Sequence, residues 1–153
     1  MKLFLMRHGE ASFDAPTDES RELTERGLLQ SDQMGTRLSV YAISLVLVSP
    51  YVRTQHTWKQ VQPHLAQDVQ VHILDELKPN ADVTQASHII EAYCDKYGAE
   101  DVLVISHMPI LGELVCEFGP QFSPTSFVPS SVVELDSWKV GEAKLLEFYL
   151  PDK

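Results

Sequence analysis

Five side chains in this sequence are of types that can bind and transfer an oxyanion: Arg7, His8, Ser49, Arg53 and His107. A guanidinium offers paired N–H groups that match two phosphate oxygens, which a lysine point charge does less specifically. An imidazole can attack phosphorus and carry the phosphoryl group covalently, and a second imidazole can hold charge on the group in transit. Singly these signals are weak. Arg7-His8-Gly9 alone reads equally well as a loop polarised by two side chains.

What strengthens them is where they stand. Leu3-Phe4-Leu5-Met6 is a continuous apolar run, short enough for a buried strand and too short for a membrane helix, and it runs into Arg7-His8-Gly9. Leu45-Val46-Leu47-Val48 runs into Ser49-Pro50, which reads as an N-cap followed by proline at the first helical position, with Arg53 in the first turn. Val102-Leu103-Val104-Ile105 ends at Ser106-His107, and Pro109 opens another helix. Three strands thus deliver their polar groups to one carboxyl edge, where open α/β sheets bind ligands. Helix N-termini there add free N–H groups and partial positive charge.

The intervening chain supplies the remaining elements. Residues 9–22 are polar and acidic, contain Pro16, and read as a loop at the mouth of the site. Thr24 is an N-cap for a helix over 25–39, with Leu28, Gly35 and Leu38 on its inner face and Gly27 and Gly35 permitting close approach to the sheet. Trp58 and Val61 continue the inner face of the Arg53 helix as far as Pro63. Residues 69–74 alternate apolar and polar as a third strand, giving way to Asp75-Glu76-Leu77-Lys78-Pro79. Asp82 and Gln85 form a capping-box pattern ahead of Ala86, Ile89, Ile90, Tyr93 and Tyr97 at helical spacing, with Gly98 as the stop. The helix from Pro109 carries Ile110, Leu111, Leu114, Val115 and Phe118 and closes at Gly119. The Pro- and Ser-rich segment 120–130 offers Phe122 and Phe127 as anchors, and runs 132–136 and 145–150 pair around Gly141 as an antiparallel hairpin. The expected fold is a single α/β domain over residues 1–153. It has three α/β/α layers, a mostly parallel sheet with helices on both faces, and a C-terminal antiparallel hairpin.

Charge narrows the function. With 12 Lys and Arg against 22 Asp and Glu the net charge is −10, which repels nucleic acid and anionic lipid. A phosphate site must be a local positive pocket in an acidic protein. The two cysteines are too few for a disulfide framework, and Cys94, on an apolar helix face, reads as a core thiol. No signal peptide or spanning segment is expected, so the expected compartment is the reduced cytoplasm. His56, His64, His72 and His88 show no H-x-H or H-E-x-x-H spacing, so no metal or other cofactor is expected. His56, three residues beyond Arg53, falls near the site's side of the helix and is expected at the surface.

These residues also carry a resemblance. Leu5-Met6-Arg7-His8-Gly9-Glu10 resembles the R-H-G signature of the histidine phosphatase (phosphoglycerate mutase-like) superfamily. Arg21-Glu22-Leu23-Thr24-Glu25-Arg26-Gly27 resembles its R-x-L-T-x-x-G run, Ser49 to Thr57 its S-x-x-x-R-[AT]-x-x-T element, and Val104-Ile105-Ser106-His107 its V-x-S-H element. Four motifs in order are far more specific than one, and the length is close to the bare superfamily core. The short form, His107-Met108-Pro109 and Glu76-Leu77-Lys78-Pro79 are similar to the SixA-type phosphohistidine phosphatases within it. The resemblance implies an enzyme that removes phosphate from histidine on a phosphorelay or phosphotransfer protein, with inorganic phosphate as product. It implies His8 as the nucleophile that becomes phosphohistidine, and Arg7, Arg53 and His107 as the phosphate pocket. Arg21 carries over as a pocket-edge residue or as a structural ion-pair partner. Met108 departs from the glycine of many relatives. The chain also lacks the long insertions that build a lid in larger ones, so a shallow, open site is expected, suited to a phosphorylated side chain on a protein.

A phosphomonoester would need an acid to protonate its leaving alkoxide, and Glu76 or Glu10 could serve. Glu76 reads equally as a cap or salt-bridge residue. Phosphohistidine can expel a neutral imidazole and needs little such help. A small-molecule phosphomonoesterase or mutase is the alternative enzyme, disfavoured by the missing insertions. A non-catalytic phospho-binding module has no need of His8 beside two arginines.

Overall fold

Alternation along the first strand decides the layers. In β1 (Lys2–Arg7), Leu3 and Leu5 pack into one apolar cluster while Phe4 and Met6 pack into another on the opposite face, and all four are fully buried. The computed structural model describes residues 1–121, 123 and 125–152, so the expected anchor Phe122 lies outside the described residues. The remaining strands are β2 (Ile43–Val48), β3 (Gln70–Ile73), β4 (Asp101–Ser106), β5 (Val132–Leu135) and β6 (Leu145–Tyr149). The helices are α1 (Glu25–Leu38), α2 (Val52–Val61), α3 (Val83–Lys96) and α4 (Ile110–Phe118). Met34, Leu38, Trp58 and Val61 place α1 and α2 on the Phe4 face; Ala86, Ile90, Leu111 and Phe118 place α3 and α4 on the Leu3 face. The architecture is the expected α/β/α sandwich.

The sheet order is β3-β2-β4-β1-β5-β6, with β1 to β4 parallel and β5 and β6 antiparallel. The three strands that end in candidate chemistry are therefore adjacent, and their ends are in register: Arg7 opposes Ser106, and Val48 opposes Ile105. Backbone hydrogen bonds carry that register past the strands, from His8 N to Ser106 O at 3.1 Å and from Ser49 N to Ile105 O at 3.1 Å.

Several local expectations are met. Thr24 caps α1 by accepting from Gly27 N, Asp82 caps α3 by accepting from Thr84 N, and Gly98 follows α3 at φ 55°. Phe127 is buried as an anchor. Other expectations are corrected. Leu28 is only half-buried, and the inner face of α1 runs through Gly27, Ser31, Met34 and Leu38. Gly35 admits the end of α2 rather than the sheet, since a Cβ there would meet His64 and Val61. The N-cap of α2 is Tyr51 and its first helical residue Val52, because the Ser49 hydroxyl is captured elsewhere. Among the described residues no helix is long and apolar enough to cross a membrane.

Candidate active site

His8 leaves β1 at its carboxyl end and is 6% exposed. Its Nδ1 lies 2.7 Å from the Gly9 carbonyl oxygen, which can only accept, so Nδ1 carries the proton and Nε2 keeps the lone pair. Nε2 accepts from Arg53 Nε at 3.3 Å. Burial holds the ring's pKa down at about 3, opposed by the Gly9 hydrogen bond and reinforced by Arg53 and Arg7. His8 is thus a neutral imidazole of fixed tautomer, the form that can attack phosphorus.

Gly9 is required by contact. A Cβ there would lie 2.7 Å from Ser31 Oγ and 2.8 Å from Gly27 O, while Gly27 is itself packed on the Glu10 backbone. Gly9 N donates to Thr57 Oγ1 at 2.9 Å, and Thr57 in turn donates to Arg53 O at 2.8 Å. The glycine after the nucleophile and the threonine one turn past Arg53 therefore lock β1 to α2.

His107 is 1% exposed, with its ring centroid 5.3 Å from that of His8. Its Nε2 is 2.7 Å from Ser49 Oγ. Ser49 Oγ also accepts from Tyr51 N at 3.4 Å; with its hydroxyl donating to Nε2, the ring's own proton lies on Nδ1. Among the described residues that buried Nδ1 has no hydrogen-bond partner. Burial, then the neighbouring His8, Arg53 and Arg7, keep His107 neutral well below its ordinary value. Tyr51, which sequence reasoning did not single out, packs its ring edgewise on His107 at 4.9 Å and lies 4.9 Å from the Arg53 guanidinium.

Arg7 donates from Nη1 to Phe127 O at 2.6 Å, and its buried Nε has no hydrogen-bond partner among the described residues. Arg53, 4% exposed in the first turn of α2, donates from Nη1 to Asp18 O at 2.8 Å and reaches Asp18 Oδ2 from Nη2 at 3.4 Å. The α2 terminus is less open than expected, because Val52 N donates to Glu19 O at 3.0 Å. Arg21 sits in the loop, where it donates to the carbonyls of Ser12 and Ala11 and pairs with Asp18; its charge also acts on His8 and Arg7.

The two candidate acids stand apart. Glu10 accepts from Thr24 Oγ1 at 2.9 Å and lies 3.9 Å from Arg26, engaged at the start of α1. Glu76 lies in a one-turn 3₁₀ helix (Asp75–Leu77) after the edge strand β3, where it makes no hydrogen bond or ion pair among the described residues. What ties that segment to the site is Leu77, whose carbonyl accepts from Ser106 Oγ at 2.7 Å. Cys94 is fully buried, and burial, with the Asp95 and Glu91 charges, pushes its thiol up to about 12, an inert core residue. His8, Arg53 and His107 are all buried, with Asp18 of the 9–22 loop against Arg53.

Segment 127–131, legible beforehand only as an apolar anchor in a Pro- and Ser-rich stretch, braces the nucleophile from the other side. Ser130, at φ 65°, donates its N–H to both Arg7 O and His8 O, at 3.2 and 3.1 Å, while Arg7 N donates to Ser131 O at 3.0 Å. The positive φ that turns Ser130 N–H inward is one that glycine or asparagine would usually announce.

The chain is similar to known proteins in sequence and in fold. The phosphohistidine phosphatase SixA of Escherichia coli (strain K12) is 36% identical over 137 residues, covering 88% of this chain and 84% of that protein. A SixA homolog of Haemophilus influenzae is 32% identical over 155 residues, covering 95% and 93%. The structure of the protein histidine phosphatase SixA complexed with tungstate matches with a TM-score of 0.90 at 35% identity, over 97% of this chain and 96% of that one. The family model for the histidine phosphatase superfamily (branch 1) matches residues 3–81, from the strand that carries His8 to the segment beyond Glu76. On that match, and on its identity to the E. coli protein, this chain belongs to the histidine phosphatase superfamily.

Proposed function

We propose that the chain is a phosphohistidine phosphatase that removes the phosphoryl group from a histidine on a phosphorelay or phosphotransfer protein. The observation that carries this reading is the state of His8: neutral, its proton fixed on Nδ1 by Gly9 O and its Nε2 lone pair beside Arg53. His8 Nε2 attacks phosphorus and forms a P–N bond as the P–N bond to the partner's histidine breaks. The departing imidazole takes the electron pair and leaves neutral when its other nitrogen already bears a proton. Water then attacks the phosphohistidine on His8, the P–N bond returns its electrons to Nε2, and inorganic phosphate is released. Arg7, Arg53 and the Nδ1–H of His107 hold the phosphoryl oxygens, with Arg21 at the pocket edge. The arginines supply the positive charge, so no metal is needed, and turnover should survive EDTA after dialysis.

The name of the E. coli relative and the 36% identity to it support the substrate class. The reading extends to one domain over residues 1–153, acting in the cytoplasm. The test offers the protein a panel of phosphohistidine proteins and phosphomonoesters and compares phosphate release. Faster turnover of the phosphohistidine proteins is expected. Preference for a small ester would refute the assignment.

A further inference from the structure

Asp18 stands against Arg53 and Arg21, the cations that the proposed function sets around the phosphoryl group. Its Oδ2 is 3.4 Å from Arg53 Nη2 and its Oδ1 is 3.3 Å from Arg21 Nη1, so one carboxylate spans two of the cations around the nucleophile. Arg53 has five N–H donors. One meets His8 Nε2, one the Asp18 carbonyl and one the Asp18 carboxylate, leaving two. The Asp18 contacts are unequal. The carbonyl bond is short, at 2.8 Å, and fixes the guanidinium through the backbone. The carboxylate contacts are long, and the side chain is 59% exposed against 5% for Arg53. Burial of this carboxyl is slight and acts to raise its pKa, but the charges of Arg53 and Arg21 hold it below its ordinary value, so it is an anion. Arg21 is tethered independently of Asp18, by the Ser12 and Ala11 carbonyls and by stacking on the Phe13 ring at 4.0 Å.

We infer that the Asp18 carboxylate is a placeholder for the substrate's phosphoryl group, which displaces it from Arg53 and Arg21 on binding, while the Asp18 carbonyl keeps Arg53 aimed. Asp18 is then an affinity- and specificity-determining residue. It weakens every ligand held by charge alone, free phosphate foremost, whereas a phosphoprotein brings contacts of its own. The inference rests on the reading of this pocket as a phosphoryl site.

Calorimetric titration of inorganic phosphate and of tungstate into the full chain, Asp18→Asn and Asp18→Ala tests it without any turnover. Both substitutions leave the backbone carbonyl in place, and the exposure of the side chain favours folding, which circular dichroism checks. Both variants should bind both oxyanions more tightly, by about 1.5- to 5-fold, the range for an exposed charge pair. The gain should shrink as salt is added. Weaker binding by either variant would overturn the inference and make the carboxylate a support for Arg53; unchanged binding would overturn it as well. If the unsubstituted chain binds neither oxyanion, the phosphoryl-site reading fails and takes the inference with it.

Discussion

The two ends of β1 each carry a cation, and they are treated in opposite ways. At the start, Lys2 Nζ lies 2.8 Å from Oε2 of Glu134, a glutamate 3% exposed on the neighbouring strand. The same carboxylate accepts from Tyr149 OH at 2.5 Å and from Tyr41 OH at 3.4 Å, so charge and donors are matched within the protein. At the other end, among the described residues, Arg7 has a backbone carbonyl but no carboxylate, and its Nε and the nearby His107 Nδ1 have no hydrogen-bond partner. A buried charge completed by its own chain is a structural joint. On the proposed function, the other end is completed by the phosphoryl group instead.

Substitutions separate the two ends. His8→Ala should abolish turnover and leave a folded protein; phosphate release and a chemical denaturation curve measure the two properties. Trapped phosphate on another residue would sink the nucleophile assignment. Arg53→Lys keeps the charge but loses the paired geometry, which should cost about 1.5–3 kcal/mol of transition-state stabilisation, roughly ten- to a hundredfold in kcat/KM. A near-normal rate would mean that Arg53 does not grip the phosphoryl group.

The structural end should respond in stability alone. Glu134→Gln exchanges charged hydrogen bonds for neutral ones, a loss of about 1 kcal/mol, with the rate unchanged. The pH dependences can then be told apart by sign. Glu134 has a folded-state pKa below its ordinary value: burial opposes this, but Lys2 and the tyrosine hydroxyls outweigh it. Its contribution is present above the ordinary carboxyl range, near about 4.3, and is lost as pH falls through the folded value. His8 and His107 are also depressed, so the unfolded chain takes up protons near about 6.5, whereas folded His8 does so only at about 3. Stability should therefore already decline as pH falls from about 6.5, before Glu134 is touched. His8→Gln should flatten that higher region, and Glu134→Gln only the lower one. The smallest effect belongs to Glu76→Gln, which should barely slow release from a phosphohistidine protein. Yet it should hurt hydrolysis of an alkyl phosphate if Glu76 is an acid at all. A large loss on the phosphoprotein would reopen the phosphomonoesterase reading.

The sheet was legible because its parallel strands are apolar runs that break abruptly into polar residues, and the candidate site because those breaks share one edge. Arg7, His8, Ser49, Arg53 and His107 all meet there. What escaped was what tertiary contact alone decides. Ser49 looks like an N-cap, but His107, 58 residues on, takes its hydroxyl and the cap passes to Tyr51. Asp18 is one acid among several in a loop without period. Glu134 sits in an apolar run with no local sign that Lys2, Tyr41 and Tyr149 converge on it, and Ser130 adopts a left-handed conformation without glycine to signal it.

The brace formed by segment 127–131 bears on when in the protein's life it becomes an enzyme. The carbonyl that holds Arg7 belongs to Phe127, 120 residues further along the chain. At about 5–20 residues per second of synthesis, the arginine waits roughly 6–24 s for its partner. Ser130, which donates to the carbonyls of both Arg7 and His8, is made later still. Nascent chains and prematurely terminated fragments contain the nucleophile without the segment that braces it, so on the reading above they leave phosphorylated partners untouched. On that reading catalytic power waits for segment 127–131, and phosphatase activity counts only chains that have grown past it.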